Sequence, residues 1–282
     1  MKLLDEYISK VRTLPPAPQV LPQLMSLLNE DNTDSAKIVG LIRIDPALTA
    51  KVLQRCNNAA LGFAHPVADL EEAVTRVGFN EIYRLVALVI GEGMLGAPQR
   101  GYGIATGELW QHSVTTAVAA RTVASKLGAD ENLVFTAALL HDIGKLVLSG
   151  FLEAAYEPVL RETGPAGHSF LEAEKSILGV EHAEVGGRVL AQWRFPASLV
   201  AAVWRHHDPA QAGPHARLAA LVHLGDIIAH CLGQAQGLQS FAVRSRAEAL
   251  EILEITPREI ETFIIESSSA LEESGLATHA RS

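Results

Sequence analysis

In LLHDIGKLVL, residues 139 to 148, His141 and Asp142 stand side by side, followed by Gly144 and Lys145, with apolar runs on both flanks. An imidazole and a carboxylate carried into apolar surroundings are costly to bury unless they are paired or coordinated. Alone, the dipeptide fits a hydrogen-bonded core histidine as well as it fits a metal ligand. Its company decides: the second half of the chain also offers Glu108 and His112, His182, the tandem His206 and His207, and Asp226. Glu108 and His112 are four apart, so on a helix they share one face and can reach one ion. No thiolate joins the set, which suits Fe, Mn, Zn or Mg and disfavours a structural zinc cluster. Eight candidate ligands exceed what one tetrahedral ion takes. They suit two ions about 3.5 to 4 Å apart, bridged by a carboxylate such as Asp142.

Two such ions polarise a phosphoryl oxygen and generate hydroxide near neutral pH, so the reaction class would be hydrolysis of a phosphate ester. Asp142 and Lys145 are then the candidate catalytic residues. Lys145, one turn past His141, is either a point charge for a substrate phosphate or a solvated helix-end lysine. His223, one turn before Asp226, is either a partner behind a ligand or a core histidine, and core is the preferred reading. His65, His168, His215, His230 and His279 fall in loops, at a helix end or in the tail and read as surface residues. Trp110, Trp193 and Trp204 each lie near a candidate ligand, and helical spacing makes core packing their first explanation.

The elements that must carry these residues are helices. Leu3, Leu4, Tyr7, Ile8 and Val11 mark one helical face, stopped by LPPAPQ. Val20 to Leu28, SAKIVGLIRI and the stretch opened by Asp45-Pro46 follow, the last with an aspartate cap and proline at the first helical position. Asp69 and Asn80 can start two more, separated by Gly78. A long helix is predicted from about Glu108 to Leu127. Asp130 caps one that leads into His141 and Asp142, and Pro196 opens one that runs into His206 and His207. His223 and Asp226 share a face of residues 216 to 231, and Thr256-Pro257 begins a last amphipathic helix. Alternating β-branched runs and hairpin turns are nearly absent, so the fold is read as all-α. The glycine-rich GAPQRGYGIATG, residues 96 to 107, marks the boundary between two helical subdomains, 1–98 and 99–282.

Composition narrows the classes. With 282 residues there is room to bury a core, and two cysteines far apart, Cys56 and Cys231, suit a reducing compartment. MKLLDEYISK does not read as a signal peptide, and even RLVALVIGEGML breaks at Gly91, Glu92 and Gly93, so the reading is a soluble cytoplasmic protein. A net charge of -9 argues against a broad nucleic-acid face. A small anionic ligand, needing only a local positive pocket, stays open. A nucleophilic-serine motif, a Walker loop and a dinucleotide fingerprint are all missing.

LPPAPQVLPQLMSLL, DPALTAKVLQRCN and AVTRVGFNEI in the first part, with LWQHSV, AALLHDIGKLVL, GVEHAEVGGRVLAQWRFP and the tandem histidines in the second, together resemble the HDOD family, a branch of the HD superfamily. The resemblance runs over about residues 14 to 208. It implies an all-α fold with an HD-like helical bundle in the C-terminal part and a role in bacterial signalling, often with metal ligands lost. Positions matching ligands in the related HD-GYP phosphodiesterases are all filled here: Glu108, His112, His141, Asp142, His182, His206, His207 and Asp226. The Gly-Tyr-Pro signature is not, because HHDPAQAG follows the tandem histidines, so specificity for a cyclic dinucleotide does not carry over. The expectation is a signalling or regulatory HDOD protein with two divalent ions. Its partners would be signalling proteins or a small nucleotide, and the alternative is a working metal-dependent phosphohydrolase or phosphodiesterase.

Overall fold

The computed structural model describes residues 20–28, 35–57, 65–154, 170–234, 247–274 and 276. Among these, every regular element is helical, and the sole bridge is the isolated pair Gln99 and Ile104. The expected helix at residues 3 to 13, the loop at 161 to 169 and the C-terminal tail lie outside the described residues, apart from a few residues at the tail's start.

Five helices come first: α1 (Val20–Leu28), α2 (Ser35–Arg43), α3 (Pro46–Cys56), α4 (Leu70–Val77) and α5 (Phe79–Leu95). The caps read from sequence work as expected. Asp45 Oδ1 accepts from the amides of Ala47 and Leu48, and Asp69 Oδ1 from that of Glu72, satisfying donors that a helix start leaves unpaired. Gly78 ends α4 at φ 86, where a side chain would be strained. The next helix starts one residue before Asn80, whose side chain instead accepts from Asn132 Nδ2 at 3.0 Å.

A short 3-10 turn, Arg100–Tyr102, leads into α6 (Glu108–Lys126), α7 (Glu131–Leu139), α8 (Gly144–Ala154), α9 (Phe170–Leu178), α10 (His182–Gln192) and α11 (Ala197–Trp204). A second 3-10 segment, Pro209–His215, precedes α12 (Ala216–Cys231), α13 (Ala247–Leu253) and α14 (Pro257–Glu273). The last opens on the capping box of Thr256 and Glu259.

The helices that matter most for the site are α6 and α12, the most extensively packed pair in the chain. Ten consecutive or near-consecutive residues of α12, from Ala219 to Ala229, are buried, so this helix is enclosed on all sides rather than amphipathic. Gly225 makes the approach possible: a Cβ there would come within 2.7 Å of Ala120 Cβ and of the Thr116 carbonyl oxygen. A single hydrophobic cluster runs from Leu21 to Leu271 among the described residues, with α5 packed against α6 and α7.

Two sequence expectations change. The helix capped by Asp130 stops at Leu139, and Leu140 to Ile143 form a turn before α8. Likewise α11 stops at Trp204, so His206 and His207 lie in a turn. One stretch, Glu131–Glu153, is apolar and long enough by composition to cross a membrane, contrary to the reading above, but it is 83% buried within the protein.

Candidate functional site

Three kinds of local structure bring the polar side chains inward. His112 sits in the second turn of α6 and Asp226 in the middle of α12, so the close α6–α12 packing brings them together. His141 and Asp142 occupy the turn between α7 and α8. His182 begins α10, while His206 and His207 follow α11. Gly144 couples the first turn to α10: a Cβ at this position would collide with the His182 carbonyl oxygen and approach the Gly186 amide nitrogen to 2.7 Å. A glycine here thus allows His182 to reach Asp142.

The imidazoles are oriented from behind. Nδ1–H of His141 donates to the Ala138 carbonyl at 2.7 Å, that of His206 to Val203 at 2.7 Å, and that of His112 to Gln234 at 2.9 Å. His182 Nδ1 lies 2.8 Å from Glu174 Oε2, and Glu174 also accepts from the His182 amide at 2.9 Å. In the neutral imidazole, an oxygen acceptor on Nδ1 fixes the proton there and leaves Nε2 with its lone pair facing inward.

The Nε2 atoms of His112, His141 and His182 converge on two carboxylates. Asp142 Oδ2 is 3.3 Å from His141 Nε2 and 3.7 Å from His112 Nε2, whereas Oδ1 is 3.2 Å from His182 Nε2. Asp226 Oδ1 lies 3.1 Å from His112 Nε2. Two nitrogen pairs approach closely, His112 with His141 at 3.3 Å and His182 with His207 at 2.9 Å. His206 Nε2 is buried and has no hydrogen-bond partner. A buried nitrogen lone pair without a donor, beside others of its kind, is a poor hydrogen-bond arrangement and a good donor set for a cation. Two groups of three could each hold an ion: His112, His141 and Asp142, and His182, His206 and His207.

The electrostatics divide the imidazoles. Burial would lower His182, but the Glu174 and Asp142 carboxylates outweigh it and raise the group to about 9. His141 is raised for the same reason, by Asp142 and Asp226 against burial. Burial, with the neighbouring imidazoles, pushes His206 and His207 well down, and burial also lowers His112. Burial would raise both carboxyls; the surrounding cations and hydrogen bonds hold Asp142 and Asp226 well below the usual carboxylate range instead.

The HDOD domain pattern matches residues 14–209. The chain belongs to the HDOD family. Solved structures agree on the fold of this HDOD protein. An HDOD domain protein of unknown function from Geobacter sulfurreducens superposes with a TM-score of 0.72 at 23% identity, covering 97% of this chain and 95% of that one. A Shewanella amazonensis SB2B protein, whose assignment as a phosphohydrolase is itself provisional, gives 0.72 at 22% identity, covering 96% and 95%. Ribonuclease Y of Opitutus terrae is 27% identical over 186 residues, 66% of this chain. The match covers only 28% of that relative's length.

Seven of the eight residues singled out in the HDOD sequence as ligands come together; Glu108 does not. Glu108 is exposed at the first position of α6, and its Oε2 accepts from the Ala105 amide at 2.7 Å. A carboxylate at a helix start is drawn to nearby unpaired amides, which takes Glu108 away from the interior. Lys145 is neither solvated nor directed at a ligand: it is 2% exposed and ion-paired with Asp142 Oδ2. A buried ammonium needs such a partner.

Three residues gain importance that the sequence reading did not give them. Glu174 lies behind His182 and also accepts from the Tyr102 hydroxyl at 2.5 Å. Its sequence signal was faint: one of two acids, with Glu172, in an otherwise ordinary amphipathic helix, eight residues before the histidine it orients. His223 is buried, and its Nδ1 lies 2.8 Å from the His206 carbonyl, so a core histidine also fixes the tandem-histidine turn. His230, expected at the surface, turns inward, with Nε2 3.4 Å from Asp226 Oδ1. Of the other histidines expected outside, His65 is exposed and His215 half-buried, while His168 and His279 lie outside the described residues. Trp110 packs in the core as expected, and Trp204 has the Arg188 and Arg205 guanidinium groups near its ring.

Proposed function

We propose that this HDOD protein is a signalling or regulatory component that holds two divalent ions in its HD-like part. His112, His141, Asp142 and Asp226 would hold one ion; His182, His206 and His207 would hold the other, with Asp142 shared through its two oxygens. The observation that carries this reading is the set of four buried imidazoles, each tied to an oxygen acceptor through Nδ1, of which His112, His141 and His182 turn Nε2 toward Asp142 or Asp226 while His206 Nε2 has no hydrogen-bond partner. His206 Nε2, grouped with the His182 and His207 donors, is buried without a hydrogen-bond partner, which a bound cation would supply. Mixed imidazole and carboxylate donors favour Fe, Mn or Zn, with Mg the weaker match to so many nitrogens. The division into an N-terminal helical subdomain, 1–98, and an HD-like one, 99–282, belongs to the same reading, as do a signalling protein or a small nucleotide as partner.

The regulatory role is preferred on membership of the HDOD family. The lysine of the HD turn is ion-paired with Asp142, so a substrate phosphate would be met by the ions and not by Lys145. Hydrolysis of a phosphate ester is the second reading, supported by the completeness of the two donor groups; bound ions would supply Lewis acidity toward phosphoryl oxygens and water. Under either reading the chain's own residues do the same work. Glu174 and the backbone carbonyls orient the imidazoles, Lys145 orients Asp142, and the surrounding core excludes bulk water.

Metal analysis of protein purified anaerobically is the direct test. Two ions per chain are expected, and near-complete loss in Asp142→Ala; no ion in the unaltered protein overturns the proposal. A panel of nucleotides and cyclic dinucleotides with Mn or Fe then separates the readings. Phosphate or linear product released by the unaltered protein and not by Asp142→Ala establishes turnover, and equal release by both removes it.

A further inference from the structure

The donor atoms of His112, Asp226 and His230 all lie within 4.8 Å of one another, a third group sharing His112 with the first. His230 is four residues beyond Asp226 on α12, so the two side chains stack on one face. Its Nε2 is 3.4 Å from Asp226 Oδ1, and His112 Nε2 is 3.1 Å from the same oxygen. Donors bound at 2.0 to 2.1 Å around a tetrahedral ion stand about 3.3 Å apart, so both separations already suit a common ion. The His112 and His230 rings meet edge-on, with centroids 5.2 Å apart. His112 Nε2 can bind one ion only, and it also lies 3.3 Å from His141 Nε2. The first and third groups are therefore two overlapping seats for the same ion, with His112 common to both and Asp226 Oδ1 3.8 Å from His141 Nε2. Burial distinguishes their ends: the His141 and Asp142 side chains are 1% and 2% exposed, whereas that of His230 is 15% exposed.

We propose that His230 is a metal-ligating residue, forming with His112 and Asp226 an outer seat for the ion on the α6–α12 side. An ion there has exchanged His141 and Asp142 for a ligand at the solvent edge, which makes this the position from which it enters and leaves. The inference rests on the dinuclear reading given above and extends it to a residue outside that ligand set.

Weakening the inner seat exposes the outer one. Apo protein is loaded anaerobically with Co(II), washed, and its metal content counted in the unaltered chain, in His141→Gln, and in His141→Gln combined with His230→Phe, which keeps a ring at the rim but removes the donor. His141→Gln is expected to retain two ions per chain and to show a paramagnetically shifted exchangeable imidazole proton from His230. The double variant is expected to retain one ion and to lack that resonance. Loss of the ion already in His141→Gln, or two ions still held by the double variant, overturns the assignment of His230. No Co(II) in the unaltered chain overturns the dinuclear reading instead. His230→Gln in place of His230→Phe, with circular dichroism to confirm folding, separates donor loss from altered packing.

Discussion

The two donor groups are built differently. The first combines two imidazoles with two carboxylates, and its nitrogens are oriented by backbone carbonyls of Ala138 and Gln234. The second is three imidazoles, and His182 among them is oriented by a buried carboxylate, Glu174. Asp142 faces both, presenting Oδ2 to His141 and Oδ1 to His182. The first group depends on the close packing of α6 against α12; the second depends on α9, α10 and the turn after α11. Each can therefore be damaged separately, and only Asp142 should damage both.

Asp142→Ala is accordingly the change with the largest expected effect. Metal content falls from two ions per chain toward none. Because the variant also removes the partner of the buried Lys145, unfolding in urea with chelator present should show a loss of roughly 3 kcal/mol. Retention of one full ion would show that the groups are independent and that Asp142 is not shared.

Glu174→Gln sharpens the comparison from one side. The carboxylate behind a ligating histidine typically contributes about 10 to 100-fold in metal affinity. Competition with a graded chelator should show a weakening of that order for one ion and an unchanged second ion. Equal weakening of both would break the distinction between the groups.

A smaller effect comes from pH. In the chelated protein His182 is raised to about 9 by Glu174 and Asp142, above its ordinary value of 6.5. A raised folded-state value stabilises the fold below pH 6.5, and that stabilisation is lost as pH climbs through about 9. Thermal melts between pH 6.5 and 9 should show Tm falling for the unaltered chain. The decline should flatten in Glu174→Gln, and an equal slope in both would disconnect Glu174 from His182. Smallest of all is Glu108→Ala: with its carboxylate on the Ala105 amide, metal content and Tm should both stay unchanged, and a lost ion would return Glu108 to the ligand set.

Helix boundaries were legible wherever a local rule sets them. The Asp45-Pro46 start, the Asp69 and Asp130 caps and the Thr256 capping box all follow from short-range hydrogen bonding that the residue types announce. The breaks at Leu140 to Ile143 and after Trp204 were not, because neither carries a proline at the break, and contacts with distant elements hold the turns there. Glu108 misled for a related reason: i and i+4 spacing to His112 establishes a shared face, but competition from a free amide at the helix start directs the side chain.

By itself, the amino-acid sequence determined that this protein is all-helical, which family it belongs to, and which imidazoles and carboxylates are available for a buried site, since those are matters of residue type, local spacing and motif. Tertiary structure alone decided how they are used: that Glu174 stands behind His182, that Lys145 is held by Asp142, and that His230 turns inward beside Asp226. The physical reason is that such pairings join elements distant in the chain or depend on which way a side chain turns at a helix end. Burial and competing hydrogen bonds settle both, and neither has a period that a sequence displays.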